Sequence, residues 1–216
     1  QSPYPQMEMC GLEFCGNASR AFALYRSQLH TPPLASITVK VSGCDHPLDA
    51  KIDADTGQVD MQMPVPGSFR EFSAKELGLN TGGILVNIDG ISHLILKDVA
   101  PMADTFQRLK DLIYEEYLPD LPAFGVMFCD TANDLMTPVV YVKDVDSTYF
   151  EGSCASGTVA ASFAIAKDLE DGVHSFTFQQ PEGTLASDVT VKDGAVESVS
   201  LKGIVTLSEV ITVALP

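Results

Sequence analysis

Two segments of this chain repeat one pattern, and that pattern limits the folds available to it. The first segment, from Cys15 to Ser19, reads CGNAS and continues into an apolar stretch with helical spacing. The second, from Cys154 to Thr158, reads CASGT and continues into an alanine-rich apolar stretch. Each cysteine is therefore predicted to lie directly ahead of a helix. The repeat predicts two related halves, each with a central helix.

A cysteine in this position has distinctive chemistry. Unpaired N–H groups and the positive end of the helix dipole stabilise a thiolate there. Small residues follow each cysteine, Gly16 and Asn17 in one loop and Ala155 and Ser156 in the other. They allow backbone N–H groups to approach a ligand, and a helix N-terminus binds a carboxylate well. The paired loops are the predicted functional site.

If the two loops face each other, they can hold one carboxylate with a sulfur on each side of the α-carbon. One thiolate then removes the α-proton, and the opposite thiol returns a proton to the other face. Preorganised N–H donors stabilise the charge that spreads into the carboxylate. This hypothesis is the racemisation of an amino acid with Cys15 and Cys154 as the two bases, and it requires no cofactor.

The remaining cysteines, Cys10, Cys44 and Cys129, are expected to be small buried apolar residues, because no helix begins behind any of them. An odd total of five cysteines, with no secretory signal, favours reduced thiols. No CxxC pair occurs and the four histidines lack ligand spacing, so no metal site is predicted.

Composition excludes several classes of protein. An apolar fraction of 45% with 19% charged residues is typical of a folded chain. A net charge of −16 argues against nucleic acid and anionic membranes as partners. No apolar run approaches the about 18 residues that span a bilayer. A cytoplasmic protein acting on a small molecule is expected.

Periodicity and turn signals predict about ten strands and three helices. The first helix is expected over 17–30, with Ala21, Phe22, Tyr25 and Leu29 on one face. A second, between Pro101 and Pro119, is interpreted as packing only, and the third follows Cys154. Hairpins are predicted at 89–90 and 193–194. The predicted strands are 6–9, 37–41, 48–52, 59–63, 84–88, 91–96, 125–129 and 139–142, with four more between 176 and 213.

The proline-rich segment 64–67 predicts a boundary between an N-terminal half, 1–66, and a C-terminal half, 67–207. The predicted fold class is therefore α+β. Each of the two pseudo-symmetric halves is expected to be a curved β-sheet or barrel wrapped around a central helix.

These motifs, in this order, resemble the cofactor-independent racemases and epimerases of the diaminopimelate epimerase family. The first loop with Arg20 is similar to the family's CGN(G/A)(S/A)R, and the second to its C(G)(S/T)G(T/A). His93 matches the histidine of an NPHxV segment, and QPEGTL at 180–185 resembles PGGxL. The resemblance implies that the tail 208–216 returns to the first half as a strand and that the protein is a homodimer. It also implies a further segment ahead of the first loop, which this sequence lacks.

The resemblance also implies roles for individual residues. Glu151 matches a glutamate that contacts the substrate amino group. His93 is either a substrate contact or a buried, hydrogen-bonded strand residue, and Asn17 caps the helix, contacts substrate, or does both. Glu13, two residues before Cys15, is equally consistent with a loop hydrogen-bonder and a site residue. The implied catalytic residues are Cys15 and Cys154, and the implied substrate-binding residues are Gly16, Asn17, His93, Glu151, Ala155 and Ser156.

Departures from the family pattern indicate the substrate. Ile91 and Ser92 replace the Asn-Pro that precedes the family's histidine, and Gly152 replaces an arginine that follows its glutamate. Two anchors for a second carboxylate are thus absent. Five further segments carry a narrower likeness, namely EFCGNA at 13–18, KVSGC at 40–44, QMP at 62–64, EGSC at 151–154 and QQP at 179–181. In these segments the chain is similar to the histidine racemases of opine-metallophore (staphylopine-type) biosynthesis. Diaminopimelate epimerisation and a non-catalytic or thiol-redox protein of the same fold remain the alternatives.

Overall fold

A computed structural model of the protein describes residues 3–209 and 212, and these residues form a mixed β-sheet with four helices. The helices are α1 Gly16–Gln28, α2 Ala74–Leu77, α3 Ala103–Glu116 and α4 Ala155–Ala166. The thirteen strands of this part of the chain are β1 Gln6–Met7, β2 Ser36–Val41, β3 Leu48–Asp53, β4 Gln58–Met63, β5 Ser68–Phe72, β6 Gly83–Ile88, β7 Ile91–Lys97, β8 Ala123–Asp130, β9 Leu135–Val142, β10 Ser147–Phe150, β11 Gly172–Gln180, β12 Gly183–Lys192 and β13 Ala195–Ile204.

The strands follow one hydrogen-bonded path, β1-β2-β3-β4-β13-β12-β11-β9-β8-β7-β6-β5, with β10 paired to β9. The early strands join the late ones through β4 and β13, which pair antiparallel from Met63 opposite Val199 to Gln58 opposite Ile204. A sheet-rich α+β fold is therefore confirmed.

Helices α1 and α4 position the two cysteine loops. Helix α1 packs on β2, β3 and β4, whereas α4 packs on β6 to β8 and β11 to β13, and the two helices touch each other. Helix α4 is buried nearly throughout, because it consists largely of alanine and other small residues that allow strands to approach on several sides. Helix α3 lies over a separate apolar cluster through Phe106, Leu109 and Ile113, as predicted for a packing helix.

Most predicted elements are confirmed, including the hairpins at Gly90 and Gly194, where φ is +74° and +73°. Strands β5 and β10 and helix α2 were not predicted. Three of the four strands expected between 176 and 213 are present as β11 to β13. Residues 205–209 carry no strand, and the rest of the predicted returning tail, apart from residue 212, lies outside the described residues.

The predicted face of α1 is confirmed only in part, because Phe22 packs against the core but the other large side chains do not. Tyr25 and Leu29 are 49% and 55% exposed. The helix instead buries Ser19, Arg20, Ala23, Leu24 and Ser27. Small residues let the sheet approach closely, and the buried Arg20 guanidinium donates a hydrogen bond to the Gly203 carbonyl oxygen on β13. Hydrophobicity alone therefore identified only part of the buried face of this helix.

Across the described part of the chain, no helix is both long enough and apolar enough to cross a bilayer.

Candidate active site

The two cysteines begin their helices in the same way. Cys15 is the N-cap of α1 with φ −128° and ψ 103°, and Cys154 is the N-cap of α4 with φ −129° and ψ 114°. Four residues into each motif, a hydroxyl group donates to the cysteine carbonyl oxygen, from Ser19 Oγ at 2.8 Å and from Thr158 Oγ1 at 2.7 Å. The predicted repeat is thus present in the local backbone geometry of both loops.

The two loops are in direct contact. A methyl group built on Gly16 would lie 2.8 Å from Cβ of Ala155, so the first residues of the two helices meet with no room to spare. The Asn17 amide donates to the Ser153 carbonyl oxygen at 3.0 Å and to the Ser153 hydroxyl at 3.3 Å. Asn17 therefore ties the first loop to the residue that precedes the second cysteine.

Both cysteines open onto one cavity of about 430 Å³, a size typical of small-molecule sites. Five of the predicted substrate contacts line it, namely Gly16, Asn17, Glu151, Ala155 and Ser156. Apolar side chains cover much of the remaining wall, among them Phe14, Ile91, Val140, Val142 and Tyr149. Among the described lining residues, the only charged side chains are Glu13 and Glu151.

Burial and the nearby carboxylates determine the protonation state of the Cys15 and Cys154 thiols. Burial raises the pKa of the Cys15 thiol, the neighbouring N–H of Ala18 lowers it, and Glu151 raises it again. Burial and Glu151 raise the pKa of Cys154 well above its usual value, although the Ser156 hydroxyl opposes this. Neither sulfur makes a conventional capping hydrogen bond, but the backbone N–H groups of Ala18 and Gly157 lower the pKa of the Cys15 and Cys154 thiols respectively. Both thiols are protonated near neutral pH in the free protein.

Glu13 is a site residue that the sequence left undecided, since a loop hydrogen-bonder was equally consistent with its position. Its side chain lines the cavity beside Cys15 and the residue is 8% exposed. Its Oε2 has no hydrogen-bond partner among the described residues. A buried carboxylate oxygen without a donor is costly.

His93 lies behind the cavity wall rather than on it. It is fully buried on β7, and its Nε2 is 2.8 Å from the hydroxyl oxygen of Ser156. Burial lowers the pKa of His93 to about 3, so the ring is neutral. Ser156 Oγ in turn lies 3.6 Å from the Cys154 sulfur. The structure thus places His93 where it orients Ser156.

Gln180 is a supporting residue that sequence reasoning missed. Its Oε1 accepts the backbone N–H of Cys154 at 2.7 Å, and its Nε2 donates to Thr158 Oγ1 at 2.9 Å. The residue is fully buried and fixes both ends of the first turn of α4. The sequence analysis assigned no role to Gln180. It noted only that the residue begins the QPEGTL segment, which resembles the family's PGGxL segment.

The other cysteines differ from one another. Cys44 is buried as predicted, but the prediction was wrong for Cys10, which lies exposed in a turn that lines the cavity. Cys129 is partly buried on β8, and burial raises the pKa of its thiol to about 11. All five cysteines are free thiols.

Comparison with known sequences finds similarity to histidine racemases. A family model described as the histidine racemase CntK N-terminal domain matches residues 2–211. A histidine racemase of Fusobacterium nucleatum is 34% identical over 207 residues, which cover 90% of this chain and 76% of that protein. A histidine racemase of Staphylococcus aureus is 24% identical over 179 residues, covering 82% of this chain and 65% of that protein.

Solved structures share the fold at low sequence identity. A probable proline racemase from Agrobacterium radiobacter has a TM-score of 0.57 and 14% identity, covering 92% of this chain and 66% of that chain. A hydroxyproline epimerase from Agrobacterium vitis has a TM-score of 0.53 and 11% identity, covering 87% of this chain and 61% of that chain. The described residues thus span slightly less than two thirds of either structure.

Proposed function

This chain belongs to the family of the histidine racemase CntK N-terminal domain, and on that premise we propose that it racemises histidine with Cys15 and Cys154 as its two bases. One observation carries the proposal. Two cysteines, each at the start of a helix, open onto one cavity whose described charged side chains are two glutamates. The resemblance of the two loops to cofactor-independent racemases supports the same assignment.

The proposed reaction uses the two faces of the α-carbon. The substrate carboxylate lies at the N-termini of α1 and α4, where free N–H groups and both helix dipoles stabilise it. One cysteine, as thiolate, removes the α-proton, and the N–H donors stabilise the negative charge that develops on the carboxylate. The other cysteine, as thiol, donates its proton to the opposite face. Each turnover exchanges the two protonation states, so the cysteines titrate as a coupled pair.

Glu151 couples substrate binding to activation of the thiols. Its carboxylate raises the pKa of both cysteines, which keeps them protonated in the empty site. A substrate ammonium group at Glu151 compensates this charge. The pKa of the pair then falls when substrate binds, and a thiolate forms at the position where it is used.

The charges of the cavity favour histidine over diaminopimelate. A second carboxylate would meet no cationic side chain among the described lining residues, and it would lie in the same cavity as Glu13 and Glu151. An imidazole ring carries no negative charge and therefore meets no such repulsion from the two glutamates. Apolar side chains such as Ile91 and Tyr149 suit the faces of the ring.

Deuterium exchange tests the proposal. We expect L-histidine in D₂O to gain deuterium at Cα and to lose optical activity, whereas diaminopimelate does neither. NMR and polarimetry follow both changes, with D-histidine as the reverse reaction. Preferential turnover of diaminopimelate would support the epimerase alternative. The absence of exchange with every amino acid tested would contradict the mechanism and favour a thiol-redox or non-catalytic role.

Replacing Glu151 with glutamine should separate its two effects. We expect kcat/KM for histidine to fall about 10- to 100-fold, because a hydrogen bond to a charged group contributes about 1.5–3 kcal/mol. Since Glu151 raises the pKa of Cys15, its neutralisation should also move the pH profile of Cys15 alkylation in the free protein to lower pH. Rates of iodoacetamide labelling, read by mass spectrometry, measure this shift.

Glu116→Gln is the matched control for Glu151→Gln, because Glu116 is an exposed carboxylate on α3 that does not line the cavity. It should change neither kcat/KM nor the labelling profile. A Glu151→Gln protein with the wild-type labelling profile would show that Glu151 does not control the thiols.

We propose further that residues 1–66 and 67–207 act as two pseudo-symmetric halves around the site. Packing supports this division, because α1 contacts β2 to β4 and α4 contacts strands from β6 onward. The resemblance implies that the product, D-histidine, is used in opine-metallophore biosynthesis, and we include this role in the proposal. We also propose that the protein is a homodimer.

A further inference from the structure

A second cluster of reactive side chains lies where two turns meet, outside the cavity. Cys44 and His46 belong to the loop between β2 and β3, and Asp89 belongs to the turn between β6 and β7. One ligand atom from each residue lies within 4.8 Å of the other two. The Cys44 sulfur is 3.8 Å from His46 Nδ1. Cys44 is buried, whereas His46 and Asp89 are exposed.

We propose that Cys44, His46 and Asp89 bind one divalent transition-metal ion of the Zn²⁺ type through the sulfur, an imidazole nitrogen and a carboxylate oxygen. Tetrahedral zinc with Zn–S of about 2.3 Å and Zn–N of about 2.0–2.1 Å places its sulfur and nitrogen ligands about 3.6 Å apart. The observed separation of 3.8 Å requires little movement. When the ion binds, the Cys44 thiol releases its proton to solvent, and a water molecule fills the fourth position.

The donor set selects the class of metal. Thiolate and imidazole ligands favour zinc and other divalent first-row transition metals over Mg²⁺ and Ca²⁺, which prefer sites made only of oxygen ligands. The local charge is also suitable. After burial, the carboxylates of Asp89 and Asp45 are among the groups that raise the pKa of the Cys44 thiol. The same two negative charges attract a cation.

The two turns are already packed backbone to backbone. A methyl group built on Gly90 would lie 2.9 Å from Cα of Gly43 and 3.0 Å from the backbone nitrogen of Phe14. A bound ion would therefore cross-link turns that are far apart in sequence, beside the residue that precedes Cys15. Spacing along the chain gave no sign of this site, because the third ligand comes from a distant hairpin. The proposal does not depend on the racemase activity.

Cobalt titration of the reduced, full-length protein tests the site. We expect a thiolate-to-cobalt charge-transfer band that saturates with one equivalent and disappears when Zn²⁺ is added. In Cys44→Ser the stoichiometry should fall by one equivalent and this band should be lost. In His46→Ala and Asp89→Asn the affinity should fall at least about tenfold, because each removes one of three ligands. Zn²⁺ should raise the melting temperature of the wild type but not of Asp89→Asn.

Matched controls separate this site from other thiols and charges. Asp55→Asn, which alters an exposed carboxylate in the turn between β3 and β4, and Cys129→Ser should retain the band and the stoichiometry. Cys15→Ser and Cys154→Ser should also retain them. A band that persists in Cys44→Ser, or that disappears only with the cavity cysteines, would overturn the proposal, and so would the absence of a band in the wild type.

Discussion

Replacing either Cys15 or Cys154 with serine should lower histidine racemisation by at least about 10³-fold, within the range for loss of a general acid or base. Serine fits the same space, but its hydroxyl is far less acidic than a thiol and does not form an anion near neutral pH. Both cysteines line the cavity at the start of their helices. Because each face of the α-carbon needs its own base, neither cysteine can replace the other.

The two serine variants should nevertheless differ in a specific way. A remaining cysteine can still remove and return a proton on its own face. Each single variant should therefore exchange the α-proton of one enantiomer for deuterium without inverting it, and the two variants should act on opposite enantiomers. NMR of L- and D-histidine in D₂O, incubated separately with each variant, measures this.

Cys129→Ser controls for general effects of removing a thiol, since Cys129 lies on β8 away from the cavity and should leave racemisation unchanged. Two serine variants that exchange the same enantiomer would contradict the assignment of one cysteine to each face. A serine variant that racemises at the wild-type rate would remove its cysteine from the mechanism altogether.

Local features of the site could be predicted from the sequence because they depend on neighbouring residues. A cysteine followed by small residues and an apolar helix determines where α1 and α4 begin, and the structure confirms both starts. Strands bounded by Asp-Gly turns were predicted for the same reason. These inferences need only the preferences of a few adjacent residues.

Features that depend on tertiary packing could not be predicted. The buried face of α1 carries Ser19 and Arg20, because Arg20 finds a carbonyl partner on β13, a strand from the far end of the chain. Gln180 reaches Cys154 from β11, and Glu13 Oε2 has no hydrogen-bond partner among the described residues. Which distant polar groups meet is decided by the sheet path, and hydrophobic periodicity carries no information about it.

The direct contact between the two cysteine loops could not be predicted from the sequence either. The Gly16→Ala substitution tests how important this contact is. A methyl group there would lie 2.6 Å from the Met63 terminal methyl and 2.8 Å from Cβ of Ala155. The methionine end can move, but Ala155 is fixed at the start of α4, so the loops must separate. Since misplacing catalytic groups by about 1 Å can cost about 10²-fold, we expect a loss of that order in kcat/KM.

Gly67→Ala is the matched control for Gly16→Ala, because no atom lies within 4 Å of a methyl group built on Gly67. It should retain full activity. Moving the methyl group across the interface, in Gly16→Ala with Ala155→Gly, should recover part of the activity lost in the single variant. Alanine at the first position of a helix normally stabilises it by up to about 1 kcal/mol relative to glycine. A Gly16→Ala protein with wild-type kcat/KM and a raised free energy of unfolding would therefore show that the two cysteine loops do not depend on this close approach.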